Sequence, residues 1–207
     1  IASVAHAVVV LGLNVVKGLT LCATAFDMMR NAGMNELWRH SLGVAMTAHI
    51  LGTKAAMKNP EEVFVAGLLH DIGKVVLYVK WPDVGQRITA VTRNTSQPLM
   101  DVEQELFEVT HADVGGWLAS AWHLPTSLRE PILHHHTPAA AQDAKLQTAI
   151  VHVADVLVKG LACGNPGDNL VPPLSRQAWD LVGLDAQSLA HCLTQATEEF
   201  QTIDDYL

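Results

Sequence analysis

Gly67-Leu68-Leu69-His70-Asp71-Ile72-Gly73-Lys74 closes an apolar run with an adjacent His-Asp pair, then follows it at once with a glycine and a lysine. Successive helical residues stand about 100° apart, so His70 and Asp71 lean toward one centre only where a helix terminates. The chain is rich in histidine, with 11 in 207 residues. His40, His111, His135, His136 and Asp155 flank the pair, separated by helical sequence. Imidazole nitrogens and carboxylate oxygens are the donors a borderline or hard divalent cation takes, and an Asp beside a His can bridge two ions. The stretch predicts a metal site, of two ions, in a helical core.

Outward from it the pattern is helical throughout. Apolar residues recur at i, i+3, i+4 and i+7, while period-two alternation is short and poor. Helices are expected at Ser3–Leu11, Asn14–Arg30, Asn35–Met57, Glu61–His70, Lys74–Lys80 and Pro82–Arg93. Further ones are expected at Pro98–Glu108, His111–Trp122, Pro125–His136, Gln142–Leu161, Ser175–Leu181 and Asp185–Phe200. Asn59-Pro60-Glu61-Glu62 reads as a helix start: a cap, a proline in the first turn, then acids that complement the dipole. The run Gly164 to Pro173 reads as a loop. The fold class is all-α, an irregular multi-helix bundle. Its expected organisation is an N-terminal helical part over residues 1–34, a metal-binding core over 35–161, and a loop with closing helices over 162–207. The start at Ile1 rather than Met predicts a piece of a longer protein.

Composition narrows the function. Hydrophobic residues make up 49% of the chain, enough for a packed core and against disorder. A net charge of −8, with no basic segment, argues against binding a nucleic-acid backbone. The apolar run Ala7–Leu13 is too short to span a bilayer, and no signal peptide is visible. Three cysteines without a CxxC pair fit a reducing cytoplasm.

Each candidate donor has a plainer reading beside it. His40 follows Glu36 by four residues, and such a pair is also a common helix-surface hydrogen bond. In His134-His135-His136 at most two rings can point inward, because three successive helical residues span about 200°. His135 and His136 are favoured, with His134 in solvent. Asp155 lies on the apolar face of Ile150, Val151, Ala154 and Val158, where an unpaired carboxylate is costly and a metal would resolve the cost. His111 opens a helix whose Gly115 and Gly116 permit close approach. His152 reads as a core histidine with one hydrogen bond, and His6, His49, His123 and His191 as structural.

The order His … His-Asp … His … His-His … Asp is similar to the HD superfamily of metal-dependent phosphohydrolases, and the chain more closely resembles the HDOD family. The matching text is Leu37-Trp-Arg-His40-Ser41-Leu-Gly-Val-Ala45, Ala66-Gly-Leu-Leu-His70-Asp71-Ile-Gly73-Lys74 and His111-Ala-Asp-Val-Gly115. It continues in Trp122-His-Leu-Pro125, His135-His136-Thr-Pro138 and Val153-Ala-Asp155. Ile1-Ala-Ser-Val4 and Ala7 to Gly12 also look like the family's lead into its second half. The resemblance runs over about residues 1 to 160.

The resemblance implies a bundle of the HD-domain type with His40, His70, Asp71, His111, His135, His136 and Asp155 as ligands. Asp71 would bridge two ions, of Fe, Mn, Zn, Ni or Mg. It gives Lys74 and Asp71 catalytic places, Lys74 offsetting charge on a phosphate; by sequence alone Lys74 could equally be solvated. The family's relatives that cleave cyclic dinucleotides continue His-His with Glu and a Gly-Tyr-Pro loop, where this chain has Thr137-Pro138-Ala139-Ala140-Ala141. The (p)ppGpp hydrolases carry an acidic pair shortly after His-Asp, where this chain has Lys74-Val-Val-Leu77. The expected function is a bacterial signal-transduction output or relay module with a metal site and weak or no turnover. Its partners would be other signalling proteins or an attached sensory or receiver domain. The alternatives are an active phosphohydrolase or phosphodiesterase on a nucleotide and, more remotely, a di-iron oxidase. The loop from His136 to Asp143 is expected to flank the cleft, with Lys74 at its mouth and Glu36 at one edge.

Overall fold

The structure, a computed structural model, describes residues 8, 11–95 and 97–204. The helix expected over Ser3–Leu11, and His6 with it, lies outside the described residues except for Val8 and Leu11, both helical. The described residues form helices and connections, with no strand among them. The helices are α1 (Leu13–Asn31), α2 (Asn35–Lys54), α3 (Pro60–Leu69), α4 (Ile72–Lys80), α5 (Pro82–Asn94) and α6 (Leu99–Phe107). They continue as α7 (His111–Ala121), α8 (Thr126–His134), α9 (Lys145–Gly160), α10 (Arg176–Val182) and α11 (Ala186–Asp204), with a short 3-10 turn at Pro138–Ala140. The all-α expectation holds, and most bounds fall within a few residues of those read from the sequence.

Helix α1 buries Val15, Gly18, Cys22, Ala25 and Met29, one side chain per turn, and lays that stripe chiefly on α3. Helix α2 is buried over a far wider arc, because α3, α9 and α11 all pack against it. Val44, Ala45, Ala48 and Leu51 of α2 meet Val65, Ala66 and Leu69 of α3 and Ile150, Val153 and Ala154 of α9 in one apolar cluster. Helix α4 packs on α7, and α8 touches α3, α7 and α9. Every element that carries a predicted donor therefore borders this core.

Two helix starts differ in their chemistry. Asn59 does not cap α3 through its side chain, as the sequence suggested; it sits at φ −133°, ψ 77°, and the start rests on Pro60 and the acids Glu61 and Glu62. Helix α7 has a full capping box. Thr110 Oγ1 accepts from Asp113 N (3.3 Å), and Asp113 accepts from Thr110 N (2.8 Å). That box fixes His111 as the first helical residue.

Candidate metal centre

Helix α3 stops at Leu69. His70 is still helical at φ −54°, ψ −37°, but Asp71 turns to φ −98°, ψ 13° before α4 begins. The junction releases the 100° constraint, and both side chains point to the same place. Gly73, two residues on, lets α4 lie against α7: a Cβ there would collide with the carbonyl oxygen of His111 and lie 2.8 Å from Gly115 N. His40 comes from α2, His111 from the start of α7, His135 and His136 from the end of α8, and Asp155 from α9.

The structure brings all seven predicted donors together. The Nε2 of His40 is 3.0 Å from Asp155 Oδ1 and 3.9 Å from Asp71 Oδ2. The Nε2 of His70 is 3.3 Å from Asp71 Oδ2 and 3.9 Å from Asp155 Oδ1. On the other side of the same carboxylate, Asp71 Oδ1 is 3.3 Å from His111 Nε2 and 3.7 Å from His135 Nε2. His136 Nε2 is 3.0 Å from His111 Nε2. Three overlapping groups have donor atoms within 4.8 Å of one another: His40, His70, Asp155; His70, Asp71, His135; and His111, His135, His136. Asp71 thus stands between two histidine clusters, one oxygen toward each.

The outer ring nitrogens explain why the inner ones are available. His70 Nδ1 donates to the Gly67 carbonyl (2.7 Å) and His135 Nδ1 to that of Ile132 (3.0 Å). A carbonyl only accepts, so in the neutral rings the proton sits on Nδ1 and Nε2 faces inward with a lone pair. His111 Nδ1 donates to Glu103 Oε2 (2.6 Å), which also accepts from His111 N (2.8 Å). This carboxylate-imidazole pairing orients a ring and makes its far nitrogen more basic. The inner atoms are left in conflict: His70 Nε2, His135 Nε2 and Asp71 Oδ1 are buried without a hydrogen-bond partner. Lone pairs facing lone pairs in a dry core are costly. A cation resolves that conflict, so the donor set fits a metal.

Electrostatics point the same way. Burial, reinforced by His136 and His70, holds the His135 imidazole well below its ordinary pKa. Burial and His111 push His136 down to about 3. For Asp71, burial acts upward, but His70 and Lys74 outweigh it and hold the carboxyl well below the usual range. Asp155 is held down likewise, His40 outweighing burial. His70 runs the other way: burial lowers its pKa, but Asp71 and Asp155 outweigh it and raise it, so an ion there would replace a proton. Neutral imidazoles and ionised carboxylates are the ligand forms a divalent ion needs.

Lys74 is buried, with Nζ 2.7 Å from Asp71 Oδ2. Glu36 is exposed and outside the donor groups, and His134 is half-buried and outside them too. His152 makes two hydrogen bonds rather than one, donating from Nδ1 to the His135 carbonyl (2.7 Å) and accepting at Nε2 from Ser175 N (2.9 Å). Glu103 escaped the sequence reading, although it shares the α6 stripe with Leu99, Val102 and Leu106, and a carboxylate on an apolar stripe needs a partner. Two expectations about the cleft are corrected: Glu36 is not among the residues that line the cavity beside the cluster, and neither is the loop that follows His136. The cavity of about 450 Å³ beside the cluster is reached by Lys74, His111 and His136, but residues 137–143 do not line it. Its far wall is Asp168 and Leu170–Pro173 with the start of α6. The 137–143 loop is instead drawn onto Glu130, which accepts from the backbone N–H groups of Gln142, Asp143 and Ala144.

Comparison with known proteins places the fold. The sequence model of the HDOD domain matches residues 1–138. An HDOD domain protein of unknown function from Geobacter sulfurreducens superposes with a TM-score of 0.78 at 25% identity, over 100% of this chain and 76% of that one. A candidate signal transduction protein from Marinobacter aquaeolei VT8 shares the fold, with a TM-score of 0.68 at 19% identity, over 82% of this chain and 38% of that one. An uncharacterised protein of Treponema pallidum (strain Nichols) is 25% identical over 145 residues, 70% of this chain but 28% of the relative's length. The chain belongs to the HDOD family.

Proposed function

We propose that this HDOD protein is an output or relay module of bacterial signal transduction, acting in the cytoplasm, whose His/Asp centre holds two divalent ions and turns over substrate weakly or not at all. The observation that carries the metal reading is the set of inward, buried and unsatisfied atoms of His70, His135 and Asp71. His40, His70 and Asp155 would hold one ion and His111, His135 and His136 the other, with Asp71 between them. Such ions polarise a bound phosphoryl oxygen and acidify bound water. The chain's own contribution is to favour the neutral form of His40, His135 and His136, to orient three imidazoles through Gly67, Ile132 and Glu103, and to offset the charge of Asp71 with Lys74. The signalling role is supported by family membership and by likeness of fold to the Marinobacter protein. It is also supported by Thr137-Pro138 standing where cyclic-dinucleotide hydrolases continue with Glu.

One observation favours the enzyme reading. Lys74, His111 and His136 all border an open cavity large enough for a small molecule. The deciding experiment is a nucleotide and phosphate-ester panel run with Mn²⁺ and Fe²⁺. Undetectable or very slow turnover supports a binding module; robust metal-dependent hydrolysis that His70→Ala abolishes without unfolding makes the protein an enzyme.

A further inference from the structure

The cavity's far wall comes from a segment beyond the matched residues 1–138, and it is fastened at several points. Asn165 N donates to the Glu36 carbonyl (3.2 Å), and Thr92 Oγ1 donates to the Gly167 carbonyl (3.1 Å). Asp168 accepts from Leu99 N (2.8 Å) and Lys159 Nζ (2.9 Å). Ser175 N donates to His152 (2.9 Å). Gly164, at φ +69°, makes the turn, where a Cβ would strike the backbone of His40 and Glu36. Between these anchors Leu170, Val171, Pro172 and Pro173 line the cavity together with Leu99 and Met100, an apolar stretch. His111, His136, His152, Lys74 and Lys159 line the same cavity, with the carboxylates of Asp101 and Asp168. Lys74 spends one of its three donors on Asp71.

The cavity therefore joins the inward imidazoles of His111 and His136 and the Lys74 ammonium to an aliphatic stretch; of its two carboxylates, Asp101 and Asp168, the second is paired with Lys159. No Phe, Tyr, Trp or Arg lines it among the described residues; its flat rings are His111 and His136, which belong to the donor groups, and His152, which is hydrogen-bonded at both nitrogens, so the aliphatic stretch itself offers no ring for stacking a base. About 450 Å³ suits one small molecule. We infer that the centre takes a phosphate monoester of a short aliphatic chain, its phosphate toward His111, His136 and Lys74 and its chain against Met100, Leu170 and Val171. This rests on the metal reading above and adds the ligand class.

The test is calorimetric binding to Mn²⁺-loaded protein of inorganic phosphate, ethyl, butyl and hexyl phosphate, hexanoate and AMP. Affinity should rise about two- to fourfold with each methylene, and hexyl phosphate should bind at least about tenfold tighter than inorganic phosphate, hexanoate or AMP. Val171→Asn, at a residue 54% exposed and so dispensable for folding, should flatten the alkyl series while metal content stays unchanged. A flat series in the wild type, an unaltered series in the variant, or AMP binding tighter than hexyl phosphate overturns the aliphatic body. Hexanoate matching hexyl phosphate overturns the phosphate head. Metal content measured on the same samples separates the failures: protein that takes up no metal overturns the underlying reading, and this inference with it.

Discussion

At the scale of residues, the centre depends on who holds each proton. Asp71 is 1% exposed and touches both histidine clusters as well as Lys74. Asp71→Ala should lose most bound metal and leave Lys74 as an uncompensated buried charge, at a cost of about 3–5 kcal/mol. Metal content by elemental analysis and denaturant melts read the two effects separately. Glu103 is the subtler position, acting only through His111. Glu103→Gln keeps the volume but weakens the acceptor, so metal affinity should fall about 10- to 100-fold with the fold intact. Competition against a calibrated chelator measures it; unchanged affinity would make Glu103 a purely structural anchor.

At the scale of elements, two contacts decide whether the helices bring the donors together. Helix α4 meets α7 across Gly73, with no room for even a methyl group. Gly73→Ala should force the two apart and destabilise the protein by about 1–3 kcal/mol or more, with loss of metal; a wild-type melting temperature would contradict the close approach. Glu130 ties the end of α8 to the start of α9 through three backbone N–H groups. Burial acts to raise its pKa, but those N–H groups outweigh it and hold it below the ordinary value. Its folded pKa lies below its unfolded one, so its stabilisation is fully present above the unfolded value and is lost as pH falls through the folded value. Glu130→Gln should therefore cost about 1–3 kcal/mol at pH 7 and make the loss of stability less steep as pH falls below the ordinary glutamate range. Parallel melts of variant and wild type across that window check it.

At the scale of the whole molecule, the legible and illegible parts have a physical boundary. Helices were legible because α1, α2 and α9 repeat apolar positions every three or four residues. The donors were legible because His and Asp are costly on apolar faces unless paired. The role of Glu103 was not read, since its partner is set by how α6 meets α7. Nor was the cavity wall, because Leu170 to Pro173 has no periodicity and is placed by anchors as far away as Glu36 and Thr92. Metal should couple these scales. Ligands drawn from five separated parts of the chain bind only the folded state, so stability should grow with the logarithm of free metal, by about 2.7 kcal/mol at a hundredfold excess over Kd. A melting temperature indifferent to chelation would mean the cluster does not bind in solution. The most direct test is elemental analysis of protein purified without chelator, then titrated with Mn²⁺, Fe²⁺ and Zn²⁺ beside Asp71→Ala. About one to two equivalents of divalent metal per chain should be found, most of it lost in the variant; a metal-free protein that refuses all three ions would mean that His40, His70, Asp71, His111, His135, His136 and Asp155 form no metal centre.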